Sequence, residues 1–398
     1  MARALAHRAA TTLEKAFLAE QWLREACDLE PLKDRIRLVR QSNIAGYRGA
    51  VPLDEPICMA YPRQPEPDMA IIVAADGSQV YPDPHGQTLY YVTNIGLFQY
   101  SIGLNSLPVQ TTFPELVYQE KKLVDRDGRA ITNQTVNARR TLREVKTLAD
   151  EAWNHWQQYQ ETGIWTPLIV LHDGNLLKVF GANEVADAAG LEREYIATLG
   201  QIRDSSAVLG GYVDRPRGAN LISLLHLAHL PEDGITETAL RTHGELEGVT
   251  DEMLFRRVLG PGERSALLAL NSPQNRDYKE RGGDDLEIAC FYINVACDGE
   301  PPVIARVDVP MGVACDPARV NFLHGALLGQ CAIQGRKRYP YALTRADELA
   351  VVQGQDRAKL DELIRIAMRS NDLSPEQSNK LQTKGLARGE RRQHRLRA

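Results

Sequence analysis

A chain of 398 residues with 43% hydrophobic and 25% charged residues can bury a sizeable core, which excludes a wholly disordered or fibrous protein and allows two or three domains or one elaborated one. The net charge of −5 and pI near 6.0 exclude a surface coated in basic charge, although a local basic stripe would suffice for phosphate contacts. No eighteen-residue apolar run occurs, and Glu14 and Lys15 interrupt the N-terminus before an apolar signal segment can form, so neither a membrane span nor a signal peptide is expected. Cys27, Cys58, Cys290, Cys297, Cys315 and Cys331 are scattered without a CxxC pair, the usage expected of reduced thiols in a cytoplasmic protein.

Residues 10–28 read as an amphipathic helix with Leu13, Phe17, Trp22 and Leu23 near one face. Segment 1–40 is therefore expected to be a helical unit packed on the body or on a second subunit. The proline-rich stretch 50–68 reads as a connector. The β-branched run Ile71-Ile72-Val73 reads as a buried strand stopped at Asp76-Gly77-Ser78, with the glycine supplying a turn of positive φ. After a polar turn over 81–87, residues 89–96 read as its antiparallel neighbour. Residues 135–160 hold Val136, Leu142, Val145, Leu148, Ala149, Ala152, Trp153 and Trp156 at helical spacing. Glu144 lies within that apolar face and is expected to point at the sheet.

A second buried strand, Pro167 to His172, ends in Asp173-Gly174-Asn175. His172 alternates to the face opposite Asp173 and is expected to be a packed, satisfied histidine. A helix near 185–204 and a strand over 207–213 follow, after which Asp214-Arg215-Pro216-Arg217 puts two arginines at the same sheet edge. Tyr212, by pattern a core residue whose hydroxyl finds a partner, joins Arg215 and Arg217 as a candidate nucleic-acid contact. Residues 230–262 are charged and helical with glycine turns. Strands are expected at 267–270, 286–295 and 303–309, a mobile loop at 271–285, and helices at 316–333, 342–353 and 355–369. Residues 371–398 read as a disordered basic tail, their final part carrying Lys380, Lys384, Arg388, Arg391, Arg392, Arg395 and Arg397 against Glu390.

An acid-ended strand, antiparallel neighbours, a helix with an inward acid, then a second acid-ended strand is the order of a ribonuclease H-like fold. The expected class is α/β, a mixed sheet flanked by helices, elaborated by the N-terminal helix and by C-terminal strands and helices. Two strands side by side would bring Asp76 and Asp173 together, and clustered carboxylates need a proton or a cation between them. Phosphodiester hydrolysis stabilises charge on both the attacking and the leaving oxygen with two metals roughly 4 Å apart. Hard oxygen donors Asp76, Asp173 and Glu144 select Mn²⁺ or Mg²⁺. Such a site requires the first two carboxyls to lie close together, with no lysine or arginine plugging the space between them.

Four blocks resemble the NurA nucleases, the DNA-end-processing partners of the HerA hexameric ATPase. They are Ala74 to Gln79, Leu171 to Gly174, Gly211 to Arg217, and Tyr339 to Ala350. The resemblance spans roughly residues 40–370 and implies a nuclease domain over 41–370. It also implies Mn²⁺-dependent 5′-to-3′ exonuclease and single-strand endonuclease activity on DNA, a homodimer, and docking on a HerA-type ring. Asp76 and Asp173 match the family's metal-binding aspartates. Glu144 best matches its helix glutamate, with Glu151 as the alternative. Asp347 stands where the family carries a histidine; at the start of a helix it could still ligate a hard metal, and histidine-based proton transfer there is put in doubt. A non-catalytic adaptor that docks on the ATPase, and an enzyme directed at RNA, remain open alternatives at this level.

Overall fold

The computed structural model describes residues 2–41, 46–83, 89–125 and 128–370, with side chains from residue 10 onward. The expected tail at 371–398 and part of the turn at 81–87 lie outside the described residues. Among the described residues nine strands form one sheet: β1 Ala50–Pro52, β2 Ala70–Val80, β3 Tyr91–Ile102, β4 Val109–Val117, β5 Leu168–Asp173, β6 Val208–Asp214, β7 Leu268–Leu270, β8 Ile288–Asn294 and β9 Ile304–Pro310. Their order is β1-β7-β8-β9-β6-β5-β2-β3-β4. β2, β3 and β4 run antiparallel, while β5 and β6 lie parallel to β2. This is the ribonuclease H-like core, and antiparallel β9, β8, β7 and β1 extend it.

Strand alternation sorts side chains onto two helical layers. Ile71, Val73 and Ala75 share a core with the long helix Asn133–Thr162 and with helix Ala188–Asp204. Ile72 and Ala74 face the opposite layer, helices Pro317–Ile333 and Tyr341–Ala350. The latter helix lies almost on the sheet backbone, because a Cβ on Gly96 would meet the carbonyl of Ala346 at 2.4 Å. Asn94 Nδ2 donates to the carbonyls of Leu349 and Ala350, and Ser78 Oγ donates to Ala350. Those bonds satisfy carbonyls that a helix end leaves without partners and fix the helix against β2 and β3.

A third core joins helices Ala2–Glu25, Leu29–Gln41, Asn220–His229 and Asp251–Val258 to the β1 end of the sheet. The N-terminal helix therefore packs on the body, through Trp22 and Leu23 of the expected face but with Ala16 and Ala19 in place of Leu13 and Phe17. Ala16, Ala19 and Leu23 are buried, whereas Leu13 and Phe17 are each 51% exposed. Small residues let the backbones approach, and Phe17 instead lies under the Arg257 guanidinium at 3.5 Å. The expected connector 50–68 contributes strand β1, and the expected loop 271–285 folds as helix Pro273–Gly282. Ser272 caps that helix by accepting from the Asn275 amide at 3.1 Å, a signal present in the sequence. β4 shows no period-two pattern in the sequence, because it is an edge strand with eight of its nine residues outside the buried core, on both faces.

The cysteine expectation needs correcting. Cys27 and Cys58 form a disulfide, because the turn between the two N-terminal helices puts their Cα atoms 5.1 Å apart. The other four cysteines are free.

Candidate active site

Asp76 does not end its strand. β2 continues to Val80, with Asp76 opposite Gly96 of β3. Gly77 is needed for close approach instead of positive φ: a Cβ there would stand 2.5 Å from Glu144 Oε1 and 2.8 Å from Arg140 Cγ. Gly174 does adopt the expected left-handed conformation, with φ +88°, and its amide donates to the Tyr212 carbonyl. β5 thus stops at Asp173 while β2 runs on, leaving a step at the sheet end through which groups from both faces meet.

Ala75 pairs with His172 in parallel register, so Asp76 and Asp173 are neighbours on the same face. From the helix layer over that face come Asp347, whose carboxyl shares a hydrogen bond with Asp76, and Tyr339, whose hydroxyl donates to Asp173 Oδ1 at 2.7 Å. From the opposite face comes Glu144, 4% exposed. Four acids from four elements therefore surround one space. Asp347 occupies the last turn of its helix, not the first as expected, where the helix dipole disfavours an anion and calls for a counter-charge.

Burial and the nearby Glu144 carboxylate push Asp76 up to about 7, against the opposing Gly77 amide. Glu144 is likewise raised by burial, which outweighs Arg140 and Lys178. The tip of Asp173 is open to solvent, yet its crowded surroundings still raise it, opposed chiefly by the Tyr339 hydrogen bond. Two cations approach. Arg140 Nε lies 3.0 Å from Glu144 Oε1 without hydrogen-bonding alignment, so neither atom has a hydrogen-bond partner among the described residues; its Nη1 donates at 3.0 Å to both the Gly77 carbonyl and Gln79 Oε1. Lys178 donates to Asn175 Oδ1 at 3.3 Å and makes no ion pair with Asp76 or Asp173 among the described residues. Arg140 sits on the Glu144 face, so the space between Asp76 and Asp173 is not plugged by it.

The donor set fits a hard divalent cation in kind: three aspartate carboxyls, one raised to about 7, and a buried glutamate oxygen that lacks a hydrogen bond. Among the described residues, no three of the His, Cys, Asp and Glu side chains are already drawn tightly enough to enclose an ion. Binding would therefore draw the carboxyls inward.

The NurA domain profile matches residues 70–352. The chain belongs to the NurA domain family. No curated protein matches it. Among solved structures it is similar to the NurA nuclease from Sulfolobus solfataricus, at 13% identity and TM-score 0.47, covering 93% of this chain and 98% of that one. It is also similar to the catalytic domain of human endonuclease V, at 13% identity and TM-score 0.30, covering 83% and 94%. Ciona intestinalis endonuclease V in complex with an inosine-containing DNA gives 14% identity and TM-score 0.24, covering 83% and 95%.

Within this NurA domain Asp76, Glu144, Asp173 and Asp347 come together. Glu151 lies seven residues beyond Glu144, about 10 Å further along the helix. Arg215 and Arg217 are exposed past the end of β6, as expected. Tyr212 is not available to nucleic acid: it is fully buried, its hydroxyl 3.4 Å from the Arg338 carbonyl, and its ring meets Tyr339 edge-on at 5.3 Å. It supports the residue that touches Asp173. His172 is packed but not satisfied, for neither ring nitrogen has a partner among the described residues; burial, with Lys178 and Arg140 nearby, holds it well below the usual histidine range and so neutral.

Two site residues escaped the sequence reading. Arg140 stands one helical turn before Glu144, and Tyr339 opens the last family block; neither position shows from sequence which carboxylate it will meet. Tyr339→Phe removes a hydrogen bond that favours ionised Asp173. The acid limb of the cleavage pH profile should move to higher pH, with activity near pH 6 falling about tenfold and less above pH 8. A profile unmoved by the substitution would show the contact to be incidental.

Proposed function

We propose that this chain is a metal-dependent deoxyribonuclease, with Asp76, Asp173, Glu144 and Asp347 holding Mn²⁺ or Mg²⁺, two ions when fully loaded. The observation that carries the reading is the convergence of four acids from four elements on one sheet end, within a domain of the NurA family. A bound divalent ion would supply charge stabilisation to the oxygens around phosphorus and lower the pKa of a bound water. The chain's own residues prepare that chemistry. Tyr339 orients Asp173, Arg140 ties the Glu144 turn to the outer end of β2, and Asp347 stands within hydrogen-bonding reach of Asp76.

By family resemblance the substrate is DNA, cut from 5′ ends and within single strands. The chain works as a homodimer with a HerA-type hexameric ATPase, in repair or in defence, within the cytoplasm. No described helix is long and apolar enough to cross a membrane. Full-length protein incubated with Mn²⁺ and end-labelled single-stranded DNA is expected to shorten the label, and a chelator to stop it. DNA left intact with and without Mn²⁺ rejects the nuclease.

Two features favour a second reading. Glu144 already faces Arg140, and aspartate replaces the family histidine at 347, as would suit an adaptor that kept the fold and lost the reaction. An adaptor would bind the ring ATPase and show no Mn²⁺-dependent rise in melting temperature.

A further inference from the structure

A cleft of about 660 Å³ opens just past the end of β6, lined by Arg215, Arg256, Arg336 and Arg338. Glu252 and Glu300 also line it, and residues 301–304 form an apolar wall. Arg338 is held by a two-pronged bond to Glu300, Nε and Nη2 each at 2.9 Å, and Arg256 lies 3.5 Å from Glu252. The other two arginines keep their charge available. Arg215 has an 85% exposed side chain with its nearest carboxylate, Asp214, at 3.8 Å. Arg336 makes no ion pair among the described residues.

Backbone strain marks the same place. Four non-glycine residues among those described have positive φ, and two of them, Arg215 at +47° and Arg338 at +49°, line this cleft. L-residues rarely adopt that conformation without a surrounding reason, and such strain gathers at working sites. The cleft also connects with the acids. Arg338 directly precedes Tyr339, which donates to Asp173. Tyr212 pairs with Asp173 in register, and Arg215 follows three residues later, roughly 10 Å along the strand direction.

We propose that this cleft holds the sugar–phosphate backbone of a single DNA strand beside the nucleotide to be cut. The inference rests on the nuclease reading above and adds where the strand lies. Guanidinium forks match phosphate oxygens; Glu300 holds the Arg338 fork in place and Glu252 partners Arg256, leaving Arg215 and Arg336 to meet phosphates. The apolar wall can cover sugars and base faces without reading sequence. The volume is that of a site for a small ligand, enough to receive a nucleotide or two of one strand.

The test is fluorescence anisotropy of a short labelled oligo-dT strand, titrated with full-length protein in chelator. The variant is Arg215→Asn with Arg336→Ala, asparagine being chosen because it tolerates the left-handed backbone at 215. Affinity is expected to weaken about tenfold near 0.1 M salt. The slope of log K against log salt should shrink by about 1.4, near 0.7 for each phosphate no longer neutralised. Unchanged affinity and slope in a variant that melts like the parent would overturn the proposal. Equal weakening of blunt-duplex binding would overturn the single-strand assignment. Arg215→Lys with Arg336→Lys, which retains both charges, should keep most of the slope; complete loss there would point to folding and sink the phosphate role. Binding is read without metal, so failure here leaves the nuclease reading standing, and inactivity with Mn²⁺ leaves the cleft standing.

Discussion

Asp76→Asn and Asp173→Asn should each lower Mn²⁺-dependent DNA cleavage by about a thousandfold or more, while the folded protein survives. The two carboxyls are neighbours on paired strands, and each amide replaces an anionic oxygen with a neutral group that binds hard cations poorly. Stability should hold or rise, because Asp76 lies under burial and the repulsion of Glu144, and removing a like charge relieves it. The pairing of outcomes matters more than either alone: cleavage abolished with the melting temperature retained places the residues in chemistry, whereas loss of both would mean a folding role. Glu151→Gln separates the two helix glutamates. It should cleave within about twofold of the parent, since surface substitutions away from a site change little, while Glu144→Gln should not. Full activity in Asp76→Asn would remove the basis of the site.

The second large effect is on pH. Asp76 is raised from 3.8 to about 7 in the folded, metal-free chain, so between those values the folded state keeps a proton that the unfolded state has released. Stability therefore falls as pH rises through that window, by roughly 4 kcal/mol at most given about 1.4 kcal/mol per unit. The sign is opposite to the common case of a salt-bridged aspartate, whose stabilisation is lost as pH falls. A cation that replaces the proton reverses the trend, so Mn²⁺ should raise the melting temperature more at pH 8 than at pH 5.5. Melting curves across pH with chelator, then with Mn²⁺, measure both halves. If the metal-free Asp76→Asn protein shows the same fall between pH 4 and 7 as the parent, Asp76 is not the titrating group.

Glu144 shows how far an acid's place can be read in advance. Its position among Leu142, Val145 and Leu148 on a helix of 30 residues directs it inward, and it is buried. Asp251 shows the converse. It reads as one acid among many on a charged stretch, yet it is completely buried, accepting from the amides of Asn220, Leu221 and Ile222 and from the Tyr292 hydroxyl. It caps a helix some thirty residues earlier in the chain, and no local pattern announces a cap supplied from so far away.

Sequence was enough for the elements whose side chains repeat at the period of their own backbone. These are the β-branched runs of β2, β5 and β6, the long helix with Glu144 on its apolar face, and the two apolar runs that lead into Asp76 and Asp173. Local sterics and burial act within a dozen residues, and that is the range over which a pattern can be read. What meets across the fold was settled by its assembly. Assembly set Tyr212 edge-on behind Tyr339, joined Cys27 to Cys58, and turned Gly77 from a supposed turn into the gap that admits Glu144 and Arg140. It also laid Asp347 against Asp76 from a helix some 270 residues away. Those contacts depend on which face of which layer each residue occupies, which follows from strand order and register, and these emerge only when the whole sheet closes.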